Sequence, residues 1–233
     1  MKERIKQKGF IQIPILVAII VGVAVIGGSI YFLIHQNQQR NEQRDIQSLL
    51  ADLTKAVNLM EGVKDKLPKE LSETHQYLVN QIQNKELKLV ATDQKLKDLV
   101  MYHGAKTGSI YVNTSIKLKP ELWIPIFYHE VAHNYWHTKN PVETFEEFEA
   151  QLFNSENYAY TVNSQAWDLV MRHYPIKKDE LKTELEQRLF KIYSNETEVY
   201  NEIIKGNPEA KELWNKIIEE DIKLQKEQQA KLD

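Results

Sequence analysis

The sequence contains no cysteine. Disulfides and thiolate metal sites are therefore excluded, and any metal the chain holds must be bound by histidine, aspartate or glutamate. Charge of one sign is also missing. Thirty Lys and Arg stand against 33 Asp and Glu, interleaved along the chain, for a net charge of -3. A nucleic-acid binder normally carries a basic face or stripe, so no nucleic-acid partner is expected. No internal repeat and no long low-complexity tract is present. Long apolar runs are absent as well, with one exception near the N-terminus. A length of 233 residues suits one ordinary domain plus an anchor.

The exception is residues 10–34, which carry no charged side chain. A helix rises 1.5 Å per residue, so about 20 residues cross the hydrocarbon core of a bilayer. The run is too long for a signal-peptide core, and no Ala-x-Ala site follows it. It is expected to be a single transmembrane helix inserted in the lipid bilayer. Lys2, Arg4, Lys6 and Lys8 precede it, which puts residues 1–9 in the cytoplasm and the remainder outside.

The rest divides by pattern into a stalk and helical pair (35–86), a central core (87–175) and C-terminal helices (176–233). Ile46, Leu49, Leu50, Leu53, Val57, Met60 and Val63 recur at helical spacing. Pro68 starts a second helix. Residues 87–92 read as a short strand, 93–101 as a helix, 104–108 as a turn and 109–116 as a strand of alternating β-branched residues. A helix then starts at Pro120 or Pro125 and runs to about His137, since proline is tolerated in a first turn. The expected fold class is mostly α with a small β-sheet (α+β).

That helix contains His129-Glu130-Val131-Ala132-His133. Residues i and i+4 lie one turn apart on one helix face, so both imidazoles can reach a single metal ion. Glu130 points beside that face, where a carboxylate can take a proton from a metal-activated water. A catalytic zinc ion needs a third protein ligand and one open position. Asn140-Pro141-Val142-Glu143 resembles a helix start, with Asn140 as N-cap and Glu143 closing a capping box. At 100° per residue, Val142, Phe145, Phe148, Leu152 and Phe153 then share a face. Glu149 falls within it, while Glu143 and Glu147 point to solvent. A carboxylate among apolar side chains is costly unless it meets a cation, so Glu149 is the expected third ligand, with Glu146 and Glu156 as alternatives. His137 lies about 12 Å along the axis from His129 and is too distant to join them.

These residues resemble the zincin metallopeptidases, and among them the glutamate-ligand group called gluzincins. The resemblance rests on the His-Glu-x-x-His motif and on Glu147-Phe148-Glu149-Ala150 in the next helix. It covers roughly residues 105–160. The metzincin pattern is absent, because Trp136 and Lys139 stand where it requires Gly and His. The resemblance implies a zincin-like core and zinc as cofactor. It also implies a strand beside the cleft that pairs with extended substrate, here residues 109–116, and an oxyanion-steadying group, for which Tyr158, Tyr160 and His173 are candidates. The expected protein is a membrane-anchored zinc metallopeptidase of the cell membrane. Its catalytic domain lies outside the cytoplasm and acts on a peptide or protein substrate, with Glu130 as general base and His129, His133 and Glu149 as metal ligands. The rival reading is a non-catalytic envelope scaffold with a vestigial metal site.

Overall fold

A computed structural model of the chain describes residues 39–92, 100–104 and 107–229. The apolar run at 10–34 lies outside them, and among the described residues no helix is long and apolar enough to cross a membrane. Six α-helices and a three-stranded sheet follow in the order α1 (Gln39–Glu61), α2 (Lys69–Gln83), β1 (Leu89–Thr92), β2 (Met101–Gly104), β3 (Ser109–Asn113), α3 (Pro120–Lys139), α4 (Phe145–His173), α5 (Glu184–Ile204) and α6 (Pro208–Gln229). The mostly helical α+β class expected from the pattern is what the chain adopts.

The architecture is organised around α3. From Leu122 to Phe127 every residue is buried, and Tyr128, Val131 and Ala132 extend the apolar surface. A helix that is apolar on all sides belongs inside a core, not on a surface. It packs against α1, α2, α4, α5 and β2. Leu53, Val57 and Met60 of α1 and Leu71, Leu78 and Ile82 of α2 join Trp123, Phe127, Trp167 and Tyr193 in one apolar cluster, so the first two helices share one core with α3 and α4. A second, smaller cluster of Tyr160, Trp214 and Ile218 seats α6.

The sheet runs β1-β3-β2, with β1 parallel and β2 antiparallel to β3. Met101, placed at the end of a helix by its sequence pattern, instead opens β2; residues 93–99 lie outside the described residues. β2 and β3 form a hairpin whose turn carries Gly108 at φ +61. In it Gly104 is crossed by the Tyr111 ring so closely that a Cβ would stand 2.6 Å from a ring carbon.

Two helix boundaries bear on the site. Pro120, not Pro125, begins α3, and Pro125 lies inside it. Asn140 does not cap α4; it ends α3, and its side-chain amide donates to the Trp136 carbonyl at 3.0 Å. The N-cap of α4 is Thr144, four residues later, in a complete capping box with Glu147. From there α4 continues without a break to His173.

Candidate metal centre

α3 and α4 form an antiparallel helical hairpin, and the centre lies between them. Phe148 stacks on His137 near the turn, and one level further in Ser155 meets His133. The next residue, Glu156, faces both His129 and His133. The three ligand atoms define a nearly regular triangle. The two Nε2 atoms are 3.2 Å apart, and Glu156 Oε2 lies 3.5 Å from that of His129 and 3.4 Å from that of His133. Four donors arranged tetrahedrally at about 2.1 Å from a metal are about 3.4 Å from one another. The triangle therefore has the dimensions of one face of such a tetrahedron. His129, His133 and Glu156 form a group close enough to bind a metal ion.

Glu149, expected as the third ligand, is not part of this group. Its side chain is 43% exposed and accepts an ion pair from Lys226 at 2.9 Å. Glu146 is likewise exposed. Glu149 and Glu156 differ by seven residues, almost two full turns, so they share a helix face and differ in axial level by about 10 Å. The hairpin register selects Glu156.

Burial of the group is graded. Glu156 is 1% exposed and His133 6%, whereas the His129 side chain retains 13%, so His129 is the most exposed of the three. Burial opposes the charge on Glu156, but His133 and His129 hold its carboxyl well below the usual range. Burial likewise opposes a charge on His129. Glu156, Glu130 and Asp221 outweigh that and raise it to about 9. The centre thus attracts positive charge, which a proton or a metal ion can supply.

His133 is oriented from behind. Its Nδ1 lies 2.8 Å from Ser155 Oγ, and Ser155 Oγ lies 3.5 Å from His137 Nε2. With Nδ1 donating to the serine, Nε2 keeps its lone pair for the centre. His103 of β2 stacks on His133 and His137 with centroids 5.8 and 5.7 Å away, and pairs with Asn134 Oδ1 at 2.8 Å. His137 is therefore a neighbour of the centre and not a member of it. Neither His103 nor Ser155 was singled out from the sequence. The Gly-containing segment between residues 101–104 and 109–113 was the available hairpin signal for His103; nothing local marked Ser155.

Glu130 is buried beside the triangle, and burial raises its carboxyl above the ordinary range against the pull of His129 and His133. Of the three oxyanion candidates, Tyr160 alone reaches the centre, its ring edge-on to His129 at 5.0 Å. Tyr158 is turned away, with its hydroxyl donating to the Glu70 carbonyl at 3.1 Å. His173 ends α4, about 25 Å along the helix from Glu156. The strand expected to offer its edge to substrate, residues 109–116, is β3 over its first five residues. β3 is the middle strand, hydrogen-bonded to β1 on one side and β2 on the other. Its backbone is already engaged, and the edge strand beside the centre is β2.

No family model matches this chain, and no curated protein or solved structure matches it either.

Proposed function

We propose that this protein is a zinc-dependent metallopeptidase, zincin-like and gluzincin in type, held at the cell membrane by residues 10–34. The observation that carries the reading is the donor triangle of His129, His133 and Glu156, with sides of 3.2 to 3.5 Å, next to the buried carboxylate of Glu130. The donor set argues for the ion. Calcium and magnesium take oxygen ligands, whereas two imidazoles and one carboxylate without sulfur suit zinc. Three protein donors among the described residues, where a structural zinc site has four, leave one position open as a catalytic centre requires.

When bound, zinc supplies Lewis acidity, acidifying water and polarising a substrate carbonyl. The chain's own residues do the rest. Glu130 takes the proton of the attacking water as the oxygen bonds to the carbonyl carbon. It returns that proton to the leaving nitrogen as the carbon–nitrogen bond breaks, giving a carboxylate and an amine. Its raised proton affinity suits both halves of this exchange at neutral pH. Ser155 fixes His133, and the hairpin fixes Glu156, so the donors need not reorganise. β2, antiparallel at the sheet edge and tied to the centre through His103, is the strand along which an extended peptide would lie.

The test is the pair of wild type and Glu130→Gln, as the full chain in detergent. Both are expected to hold one zinc per chain at neutral pH, and the variant to lose peptide hydrolysis by at least a thousandfold. A wild-type protein without stoichiometric zinc sinks the proposal, and so does a variant that still cleaves.

A further inference from the structure

Beyond the metal ligands and Glu130, acidic groups from two helices, Glu196 of α5 and Asp221 of α6, act on Tyr160 and His129. Tyr160 of α4 marks their meeting point. The charges acting on its hydroxyl come from Asp221 of α6, Glu196 of α5 and Glu156, and the hydroxyl itself hydrogen-bonds to Asp221. Glu156, Tyr160 and Asn163 follow one another at i, i+4 and i+7 on one face of α4, so Asn163 lies on the helix face of Glu156, about 10 Å along it.

Glu196 is the member without an explanation in the proposed reaction. It is buried, and its partner is the neutral amide of Asn163, whose Nδ2 donates to Glu196 Oε2 at 3.0 Å. The other prong of that amide, Asn163 Oδ1, is buried with no hydrogen-bond partner among the described residues. Because Nδ2 is committed to the carboxylate, Oδ1 is held as an acceptor beside it. Carboxylate and amide oxygen thus present acceptors only. The charges that act on Glu196 come from His129 and Asp221, with no lysine or arginine among them. A divalent ion in the triangle would offset Glu156 and Glu130 and leave the Glu196 carboxylate against the neutral Asn163 amide. Buried carboxylates of this kind are stabilised by a cation that also donates hydrogen bonds. An ammonium group does both.

We infer that Glu196 and Asn163, with Asp221 beside them, form a subsite next to the metal centre that receives a primary ammonium group of the substrate. The inference rests on the reading of the centre as a peptidase and specifies its substrate class: peptides carrying a positive charge near the scissile bond. Burial pushes the Glu196 carboxyl up to about 7, helped by Asp221 and opposed by His129 and Asn163. That places the group where an arriving cation changes its ionisation. The helix that carries Asp221, α6, is seated by the small cluster of Tyr160, Trp214 and Ile218 apart from the main core.

The ammonium can be the amino terminus of a peptide or a lysine side chain, and three probes separate these sources. Norleucine amide offers the first, N-acetyl-lysine amide the second, and N-acetyl-norleucine amide neither. Binding to the full chain, measured calorimetrically with and without zinc, is expected to be at least tenfold tighter for one of the first two than for the third. Glu196→Gln is expected to remove that preference. Equal binding of all three probes to the wild type, including none at all, overturns the inference whatever the variant does. So does a second equivalent of zinc that disappears in Glu196→Gln, since the subsite would then be a metal position. These measurements do not depend on turnover, so they fail or succeed separately from the Glu130→Gln test of hydrolysis.

Discussion

Replacing Glu156 by glutamine keeps the shape of the side chain and removes its charge, and replacing Glu149 in the same way provides the matched control. The two carboxylates lie on one face of α4 but in opposite environments. Glu156 Oε2 is within 3.5 Å of both imidazole Nε2 atoms, while Glu149 reaches Lys226 at the surface. Loss of a residue that merely orients a metal ligand weakens metal binding about 10- to 100-fold. Loss of an anionic ligand itself must exceed that range, so Glu156→Gln is expected to weaken zinc binding by more than about 100-fold, or roughly 2.7 kcal/mol. An exposed ion pair contributes about 0 to 1 kcal/mol to folding and nothing to the distant triangle. Glu149→Gln should therefore stay within about threefold of wild type in zinc affinity. Competition against a chromophoric zinc chelator at fixed pH measures both. A parallel NMR titration of the metal-free proteins adds a signature. His129 owes part of its raised proton affinity to Glu156, so its titration should move down in Glu156→Gln and stay put in Glu149→Gln. Equal zinc affinities for the two variants, or a loss confined to Glu149→Gln, would refute the assignment of the third ligand.

Other expectations follow from the same geometry. His129 in the metal-free centre titrates at about 9, so zinc must displace a proton at neutral pH; apparent affinity should rise about tenfold per pH unit from pH 6 towards 9, as read by chelator competition, and a flat profile would contradict it. Ser155→Ala frees the His133 imidazole to rotate and should weaken zinc binding about 10- to 100-fold while leaving far-UV circular dichroism unchanged. Glu196 has a folded-state proton affinity raised to about 7, so its contribution is present at acid pH and lost as pH climbs through 7. Glu196→Gln, which cannot ionise, should therefore be more stable than wild type at pH 8 by about 1 to 3 kcal/mol and lose that advantage at pH 5, measured by urea denaturation; an equal gap at both pH values would count against the buried charge.

The two histidines were legible because their geometry is local: four residues along a helix is one turn, whatever surrounds it. The face of the third ligand was legible for the same reason, and Glu149 and Glu156 both satisfy it. Its axial level was not, because level depends on how many residues the turn consumes. A helix starting at Pro141 directly after α3 would bring Glu149, about 12 Å in, opposite the motif. The chain instead spends residues 140 to 144 on the turn, since Asn140 bonds back to Trp136 and Thr144 with Glu147 forms the box that starts α4. That later start moves the facing level further along the chain, past Glu149 and towards Glu156. The β2 strand was missed for a related reason. Its four residues have no helix-length pattern of their own, and they become a strand by pairing with β3, which is a tertiary event. Glu196 and Asp221 come from helices far along the chain, and only packing brings them to His129.

A buried helix tolerates polar side chains only where each is answered, and α3 carries two such groups that are answered differently. On one side Tyr128 and His75 Nδ1 are 2.5 Å apart, and His75 Nε2 lies 2.9 Å from Glu61. Burial keeps His75 neutral against the pull of Glu61, so its ring accepts from the tyrosine and donates to the carboxylate. Glu61 in turn meets Lys64 near solvent. Every donor there has its acceptor, and the chain of bonds ties α1, α2 and α3 together with nothing left over. On the other side, His129, His133 and Glu156 turn three ligand atoms towards one another. Two Nε2 atoms 3.2 Å apart satisfy each other only if one carries a proton, and a carboxylate oxygen facing both does not remove that demand. The first arrangement is complete as protein. The second brings three donor atoms close enough together to hold one metal ion, and that convergence is what distinguishes the two groups on a single helix.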